Sequence, residues 1–194
     1  MIEKIEQYAK ENDVPIIEKD GRDFLIDYID NNNCLNILEI GSAIGYSAII
    51  MASRTCCNHV DTIERNEKYY QLALENIKEC CLNEKITIFN EDALEFDISK
   101  LDKRYDLIFI DAAKAQYQKF FEKYQVLLAD EGAIIIDNID FHGFVTGTRE
   151  TNNRNTRQLV NKIKKFVEWI KIQPNYSVDY YQVGDGIFVV KRKM

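Results

Sequence analysis

The feature that most constrains the fold is an alternation of short apolar runs with longer segments of helical periodicity. The short runs are rich in isoleucine, whereas in the longer segments apolar residues recur at helical spacing. Strands that alternate with helices predict a parallel sheet covered on both faces, because each parallel connection has to cross over the sheet. The predicted helices span 2–11, 18–31, 46–53, 67–80, 116–128 and 156–170, and the predicted parallel strands span 36–40, 59–64, 85–90, 106–111 and 133–137.

Two further strand patterns, at 176–182 and 187–191, flank the turn Gly184-Asp185-Gly186. A glycine-containing turn between two strands favours a hairpin, so we expect an antiparallel pair at the edge of the sheet. The chain of 194 residues is long enough for one well-buried domain and short for two, and it contains no internal repeat. The sequence therefore predicts a single domain, 1–194, with a doubly wound α/β fold and a mostly parallel seven-stranded sheet.

Composition argues against several functional classes. The five cysteines include no Cys-x-x-Cys pair and the chain has two histidines, which disfavours a zinc site and favours reduced, partly packed thiols. No apolar run approaches the roughly 20 residues that a membrane span needs, and the N-terminal segment is charged rather than signal-like. We therefore expect a cytoplasmic protein with no membrane partner.

Charge is distributed unevenly along the chain. The net charge is −7, yet the segment 149–171 holds seven lysines and arginines and two acidic residues. Such a segment can bind phosphates, but it is also the ordinary solvated face of an amphipathic helix. The helical pattern puts the basic residues opposite an apolar stripe of Leu159, Ile163, Phe166 and Ile170, so both interpretations stay open.

Acidic residues mark the ends of the first three predicted strands, at Glu39, Glu64 and Asp92. Ligands of open α/β sheets bind beyond the carboxyl ends of the strands, and glycines at Gly41 and Gly45 let the backbone approach such a ligand. The turn lacks Gly-Lys-Ser/Thr and the pattern G-x-G-x-x-G, and its acids disfavour a pyrophosphate. A cationic nucleoside without phosphates fits better. The pattern therefore predicts S-adenosylmethionine, with Glu64 on the ribose and Asp92 near the adenine.

A second group of polar residues follows the fourth and fifth predicted strands. Asp111 ends one strand, and Asp137 with Asn138 ends the next. We expect these side chains to converge as three oxygen donors for a hard cation such as Mg²⁺, because the strands end at the same edge of the sheet. The alternative is that Asp137 and Asn138 only cap a turn.

Five motifs, in this order and spacing, resemble the metal-dependent O-methyltransferase family that includes the catechol and caffeoyl-CoA methyltransferases. The resemblance implies a Rossmann-like methyltransferase fold and covers nearly the whole chain. Within the family the chain is most similar to bacterial tRNA 5-hydroxyuridine methyltransferases. The family motifs are EIGSAIGYSA, TIERN, NEDA, IDAAKAQY and IIIDN, and the similarity to the tRNA enzymes lies in YAKENDVPII, DAAKAQYQKFFE and RNTRQLVNKIKKF.

The resemblance also implies cofactors and roles for particular residues. The implied cofactors are S-adenosylmethionine and Mg²⁺, and the implied catalytic residues are Asp111, as a metal ligand, and Lys114, as the base or as the group that stabilises the oxyanion. The implied metal ligands are Asp111, Asp137 and Asn138, and the implied cofactor site comprises Glu39, Gly41, Ser47, Glu64, Asp92, Ala93 and Asp111.

The implied reaction is methylation of wobble 5-hydroxyuridine in tRNA to 5-methoxyuridine. Ala112 and Ala113 stand where catechol enzymes have bulkier residues, which leaves room for a large substrate. One alternative is a small catechol-like or acyl-CoA-linked phenol, and another is a catalytically silent adenosyl- or RNA-binding module. The expected partners are a tRNA anticodon loop and a second copy in a homodimer. The expected substrate contacts are Arg149, Arg154, Arg157 and His142.

Overall fold

Seven strands form one mixed sheet in residues 1–193, which are the residues that the computed structural model of the protein describes. The strands are β1 Asn36–Ile40, β2 His59–Ile63, β3 Ile86–Phe89, β4 Tyr105–Ile110, β5 Leu128–Ile136, β6 Tyr176–Tyr181 and β7 Ile187–Arg192. Their order across the sheet is β3-β2-β1-β4-β5-β7-β6, and β7 runs antiparallel to both β5 and β6. The doubly wound fold with a C-terminal antiparallel hairpin is thereby confirmed.

Helices cover both faces of this sheet. Within residues 1–193, no helix is long and apolar enough to cross a membrane. The α-helices are α1 Ile2–Glu11, α2 Lys19–Asn32, α3 Tyr46–Ala52, α4 Glu67–Glu79, α5 Tyr117–Tyr124 and α6 Arg154–Lys171, and short 3₁₀ turns span Ile98–Lys100, Lys114–Gln116 and Gln125–Leu127.

The sheet separates two hydrophobic cores. On β4, Leu107 and Phe109 face one core, whereas Ile108 and Ile110 face the other, as the alternation of side chains along a strand requires. The first core contains buried residues of α1 to α4, and the second contains those of α5 and α6. Because both faces are covered, a ligand reaches the sheet at its ends.

Three larger differences separate the structure from the sequence predictions. β5 begins at Leu128 rather than at residue 133, since a shift in register pairs Leu128 with Tyr105. The single helix predicted at 116–128 is instead α5 between two 3₁₀ turns. On α6 the buried stripe contains Val160, and Leu159 is only partly buried.

The first helix packs within the chain. In the structure Ile5 and Ala9 are buried in the core that α3 also contributes to. Glu6 accepts a hydrogen bond from the Tyr46 hydroxyl and pairs with Arg22 at 2.8 Å. The apolar face of α1 is therefore already covered.

Candidate active site

A cavity of about 780 Å³ lies at the carboxyl ends of the parallel strands. β1 and β4 are neighbours there, and the chain leaves β1 toward β2 and β4 toward β5, on opposite sides. This reversal of strand order opens the crevice in which α/β proteins bind ligands. The cavity wall includes ten of the predicted site residues: Gly41, Ser47, Glu64, Asp92, Ala93, Asp111, Lys114, Asp137, Asn138 and His142.

The turn after β1 lies directly against the turn after β4. Gly41 has a φ of +92°, and a Cβ added there would be 2.5 Å from the carbonyl oxygen of Asp111. Its N–H donates to Ile63 O at 2.9 Å, which ties the turn to β2 as well. Only glycine combines this backbone conformation with so close an approach. The hydroxyl of the neighbouring Ser42 is buried at the cavity, with no hydrogen-bond partner among residues 1–193.

Glu64 presents a fixed carboxylate to the cavity. Its Oε2 accepts the Ala43 N–H at 2.9 Å, and its Oε1 accepts the Asn66 N–H at 2.7 Å. Burial raises the pKa of Glu64, and these backbone donors oppose the rise. Carboxylate oxygens keep lone pairs beyond those used here, so Glu64 can also accept from a ribose hydroxyl.

Asp92 lies farther along the same wall. Its Oδ1 accepts the Leu94 N–H at 2.8 Å, and its Oδ2 is 3.6 Å from a guanidinium nitrogen of Arg65. The side chain is 41% exposed, so it remains accessible from the cavity. Glu64 and Asp92 thus follow the adjacent strands β2 and β3 and line the same cavity. This placement suits a nucleoside whose ribose and base lie along one wall.

Glu39 lies behind the cavity wall and does not line it. The side chain is fully buried, and its two oxygens accept hydrogen bonds from Ser47 Oγ and Thr62 Oγ1, each at 2.5 Å. Burial raises its pKa to about 8. The sequence predicted that Glu39 contacts the cofactor. In the structure Glu39 instead holds the hydroxyl of Ser47, and it is Ser47 that lines the cavity.

Two carboxylates and an amide converge after β4 and β5. Burial raises the pKa of Asp111, and burial followed by the charge of Asp111 raises the pKa of Asp137. Asp137 Oδ1 accepts the Asn138 N–H at 2.7 Å, and Lys114 Nζ donates to Asn138 Oδ1. Asn138 has a φ of +55°, a conformation that functional sites often contain.

This donor set fits a hard divalent cation. Two carboxylates of raised pKa that repel one another gain from a cation between them, and carboxylate and amide oxygens are the ligands that Mg²⁺ accepts. In the described part of the chain no cluster of three His, Cys, Asp or Glu residues has the arrangement of a metal site. The donors of Asp111, Asp137 and Asn138 are all oxygens, which suits a hard ion rather than zinc.

The three predicted arginine contacts lie outside the cavity. Arg149, Arg154 and Arg157 are exposed, and the guanidinium of Arg149 lies 5.2 Å from the ring centre of Phe144. Of the four predicted substrate contacts, only His142 lines the cavity wall. Its side chain is 55% exposed.

Sequence reasoning missed two parts of the site. The segment 15–18 between α1 and α2 lines the cavity together with Tyr69 and Phe120. The adjacent Ile16 and Ile17 between two predicted helices were the available signal. The second part is Asp185. The sequence pattern assigns it only to a hairpin turn, whereas its side chain contacts the loop that carries His142.

The cavity, its glycine turn and its acidic strand ends fit the cofactor site of an S-adenosylmethionine-dependent methyltransferase. A model of the O-methyltransferase family matches residues 2–193, and the chain belongs to this family.

Comparison with named relatives identifies the type of O-methyltransferase. Caffeoyl-CoA O-methyltransferase of Medicago sativa is 28% identical over 170 residues, covering 82% of this chain and 68% of the relative. A candidate caffeoyl-CoA O-methyltransferase of Staphylococcus aureus superposes with a TM-score of 0.93 at 41% identity, covering 99% of this chain and 92% of that one. An O-methyltransferase of Bacillus cereus, solved with S-adenosylhomocysteine, gives 0.83 at 28% identity, covering 99% and 90%. The protein is thus an S-adenosylmethionine-dependent O-methyltransferase of the caffeoyl-CoA and catechol type.

Proposed function

We propose that this enzyme methylates one of two adjacent oxygens of its substrate, with a divalent cation of the Mg²⁺ type held by Asp111, Asp137 and Asn138. The observation that carries the proposal is the pair of carboxylates, Asp137 buried and Asp111 partly buried, beside an amide oxygen at the cavity wall. When bound, such a cation would lower the pKa of a substrate hydroxyl and hold its oxygen in place.

Lys114 is the residue that we propose handles the substrate proton. Its Nζ donates to Asn138 Oδ1, and its charge acts on both Asp111 and Asp137. In the transfer, the hydroxyl oxygen forms the bond to the methyl carbon, and the sulfur keeps the electron pair of the bond that breaks. The hydroxyl proton passes to Lys114 if the amine is neutral. If it is charged, the proton passes to water and Lys114 stabilises the oxyanion.

A small catechol-like or acyl-CoA-linked phenol is the substrate class that we propose first. Support comes from the family and from the relative of Medicago sativa, which is named a caffeoyl-CoA O-methyltransferase. The wall near Lys114 includes Ala112, Ala113 and the ring of Phe120, which suits a flat apolar ring. A phenol with two adjacent oxygens offers a flat ring to this wall and two oxygen ligands to the proposed cation.

Wobble 5-hydroxyuridine in tRNA is the second candidate, because it also offers two adjacent oxygens. One observation favours it: the loop that carries His142 leads directly into the exposed basic face of α6, which includes Arg154, Arg157 and Lys162. A loop base is single-stranded and enters a pocket at little cost in base pairing. Basic side chains beside the pocket could then bind the neighbouring phosphates.

The experiment that tests the proposal is transfer of label from S-adenosylmethionine to three substrates, with Mg²⁺ and with a chelator. The substrates are caffeoyl-CoA, catechol and tRNA that bears wobble 5-hydroxyuridine. Mg²⁺-dependent transfer of label to a phenol supports the first candidate. Transfer to tRNA alone favours the second candidate instead. Transfer that persists fully in the chelator overturns the proposed metal.

Asp137→Asn and Asp130→Asn make a matched pair for this assay. Both remove one carboxylate charge, but Asp130 is exposed and lies away from the cavity. We expect Asp137→Asn to lose Mg²⁺-dependent transfer while binding of S-adenosylmethionine persists, and Asp130→Asn to behave as the unaltered protein. Family membership leaves no support for the silent binding module. The homodimer stays a prediction, which sedimentation of the purified protein checks.

A further inference from the structure

We infer that Asp185, at the tip of the β6–β7 hairpin, is a positioning residue that orients the His142 imidazole, so that Nε2 of this ring accepts a hydrogen bond from the substrate outside the reacting pair of oxygens. The orientation of His142 stands on geometry alone. The contact with substrate rests on the proposed function.

The hairpin tip lies directly on the backbone that follows Asn138. The Ile139 N–H donates to Gly186 O at 2.9 Å, and the Asp140 N–H donates to Asp185 O at 2.8 Å. Gly186 has a φ of +82°, and a Cβ added there would be 3.1 Å from the Asp140 nitrogen. The tip and the loop are therefore held together by two backbone hydrogen bonds that need a glycine at the contact.

The Asp185 side chain continues this contact to His142. It is 7% exposed, and its Oδ1 accepts the backbone N–H of His142. Both Phe141 and His142 adopt left-handed backbone conformations, with φ values of 47° and 56°. Non-glycine residues keep such conformations only where surrounding contacts impose them. The carboxylate of Asp185 supplies one of these contacts.

The second carboxylate oxygen points to the imidazole. Asp185 Oδ2 is buried and has no hydrogen-bond partner among the described residues, and His142 Nδ1 lies 3.4 Å from it. A buried carboxylate oxygen without a donor is unfavourable, and a small rotation of the ring lets Nδ1–H supply one. In a neutral imidazole that donates from Nδ1, the other nitrogen is an acceptor.

His142 lines the cavity, so an acceptor at Nε2 selects for a substrate with a donor there. A phenol with a third hydroxyl carries such a donor, and so does a uracil ring through its imide N–H. Losing one such hydrogen bond weakens binding by about three- to tenfold. The placement of the two reacting oxygens does not depend on this hydrogen bond.

Asp185→Asn tests the positioning role directly. The asparagine oxygen can still accept the His142 backbone N–H, but its amino group would then face Nδ1 and require an unprotonated nitrogen there. Nitrogen NMR of the imidazoles reports which nitrogen carries the proton, and His142→Gln identifies the signals because the chain has two histidines. We expect an Nδ1–H ring in the unaltered protein and an Nε2–H ring in Asp185→Asn. An Nε2–H ring in both proteins would overturn the inference.

Kinetics test the contact with substrate. With catechol and pyrogallol as probes, we expect His142→Phe, which removes both ring nitrogens, to raise the KM for pyrogallol about three- to tenfold, with little change for catechol or in binding of S-adenosylmethionine. An equal rise for both phenols would refute the contact with the third hydroxyl. If neither phenol is methylated, the phenol proposal fails, while the NMR result still decides the role of Asp185. Asp130→Asn is the control for a lost exposed charge.

Discussion

Gly41→Ala should destabilise the protein more than Gly147→Ala, because only Gly41 lies against a neighbouring backbone. The two glycines have similar φ values, +92° and +82°. A Cβ at Gly41 would be 2.5 Å from the carbonyl oxygen of Asp111, whereas a Cβ at Gly147 would have no neighbour within 4 Å among the described residues. Gly147→Ala therefore serves as a matched control.

The expected loss of stability has two contributions, one from the backbone conformation and one from the close contact. A residue with a Cβ pays about 1–2 kcal/mol for a left-handed backbone, and both variants share this cost. Forcing an added methyl group against a packed neighbour costs about 1–3 kcal/mol more, and a backbone carbonyl cannot move away as a flexible side chain would. We expect Gly41→Ala to lose that additional amount, which corresponds to about 2–4 °C in Tm per kcal/mol for a domain of this size.

Urea unfolding and calorimetric binding of S-adenosylmethionine are the two assays. Gly41 lines the cavity and Gly147 does not, so cofactor affinity should fall in the first variant only. Equal destabilisation by the two substitutions would refute the argument from close approach. Unchanged cofactor affinity in a folded Gly41→Ala protein would refute the position of the turn at the cofactor site.

Three further predictions concern the buried and cavity-lining charges. Burial raises the pKa of Glu39 from its ordinary value of 4.5 to about 8, so ionisation of Glu39 opposes folding. The stability of the unaltered protein relative to Glu39→Gln should therefore fall as pH rises from 4.5 to about 8, by at most about 1.4 kcal/mol per pH unit, and then level off. Urea unfolding at pH 5, 7 and 9 checks this, and a difference independent of pH contradicts it. Glu64→Gln should weaken binding of S-adenosylmethionine about tenfold, because a charged acceptor for the ribose becomes neutral; calorimetry that finds equal affinity removes Glu64 from the cofactor site. Lys114→Met should lower kcat about 100-fold or more with cofactor affinity retained, while the exposed Lys119→Met should not. Equal rates in the two lysine variants would remove Lys114 from the reaction.

Local sequence determined the order of the elements and the position of the acids at the strand ends. The strand β1 was predicted with its observed bounds, because the short apolar run that marks it consists of residues next to one another in the chain. Asp111, Asp137 and Asn138 meet because parallel strands bring their carboxyl ends to one edge, which follows from topology without side-chain detail. The glycine turn was recognisable because its conformation excludes most other residues.

Only the tertiary structure decided which side chains face the cavity and which support it. Glu39 is turned to Ser47 and Thr62, which are 8 and 23 residues away along the chain. Asp185 meets His142 across 43 residues. No local period encodes such a pair, because each partner comes from another element and the contact depends on how the elements pack. The same packing supplies the low solvent exposure that raises the pKa of Glu39, Asp111 and Asp137.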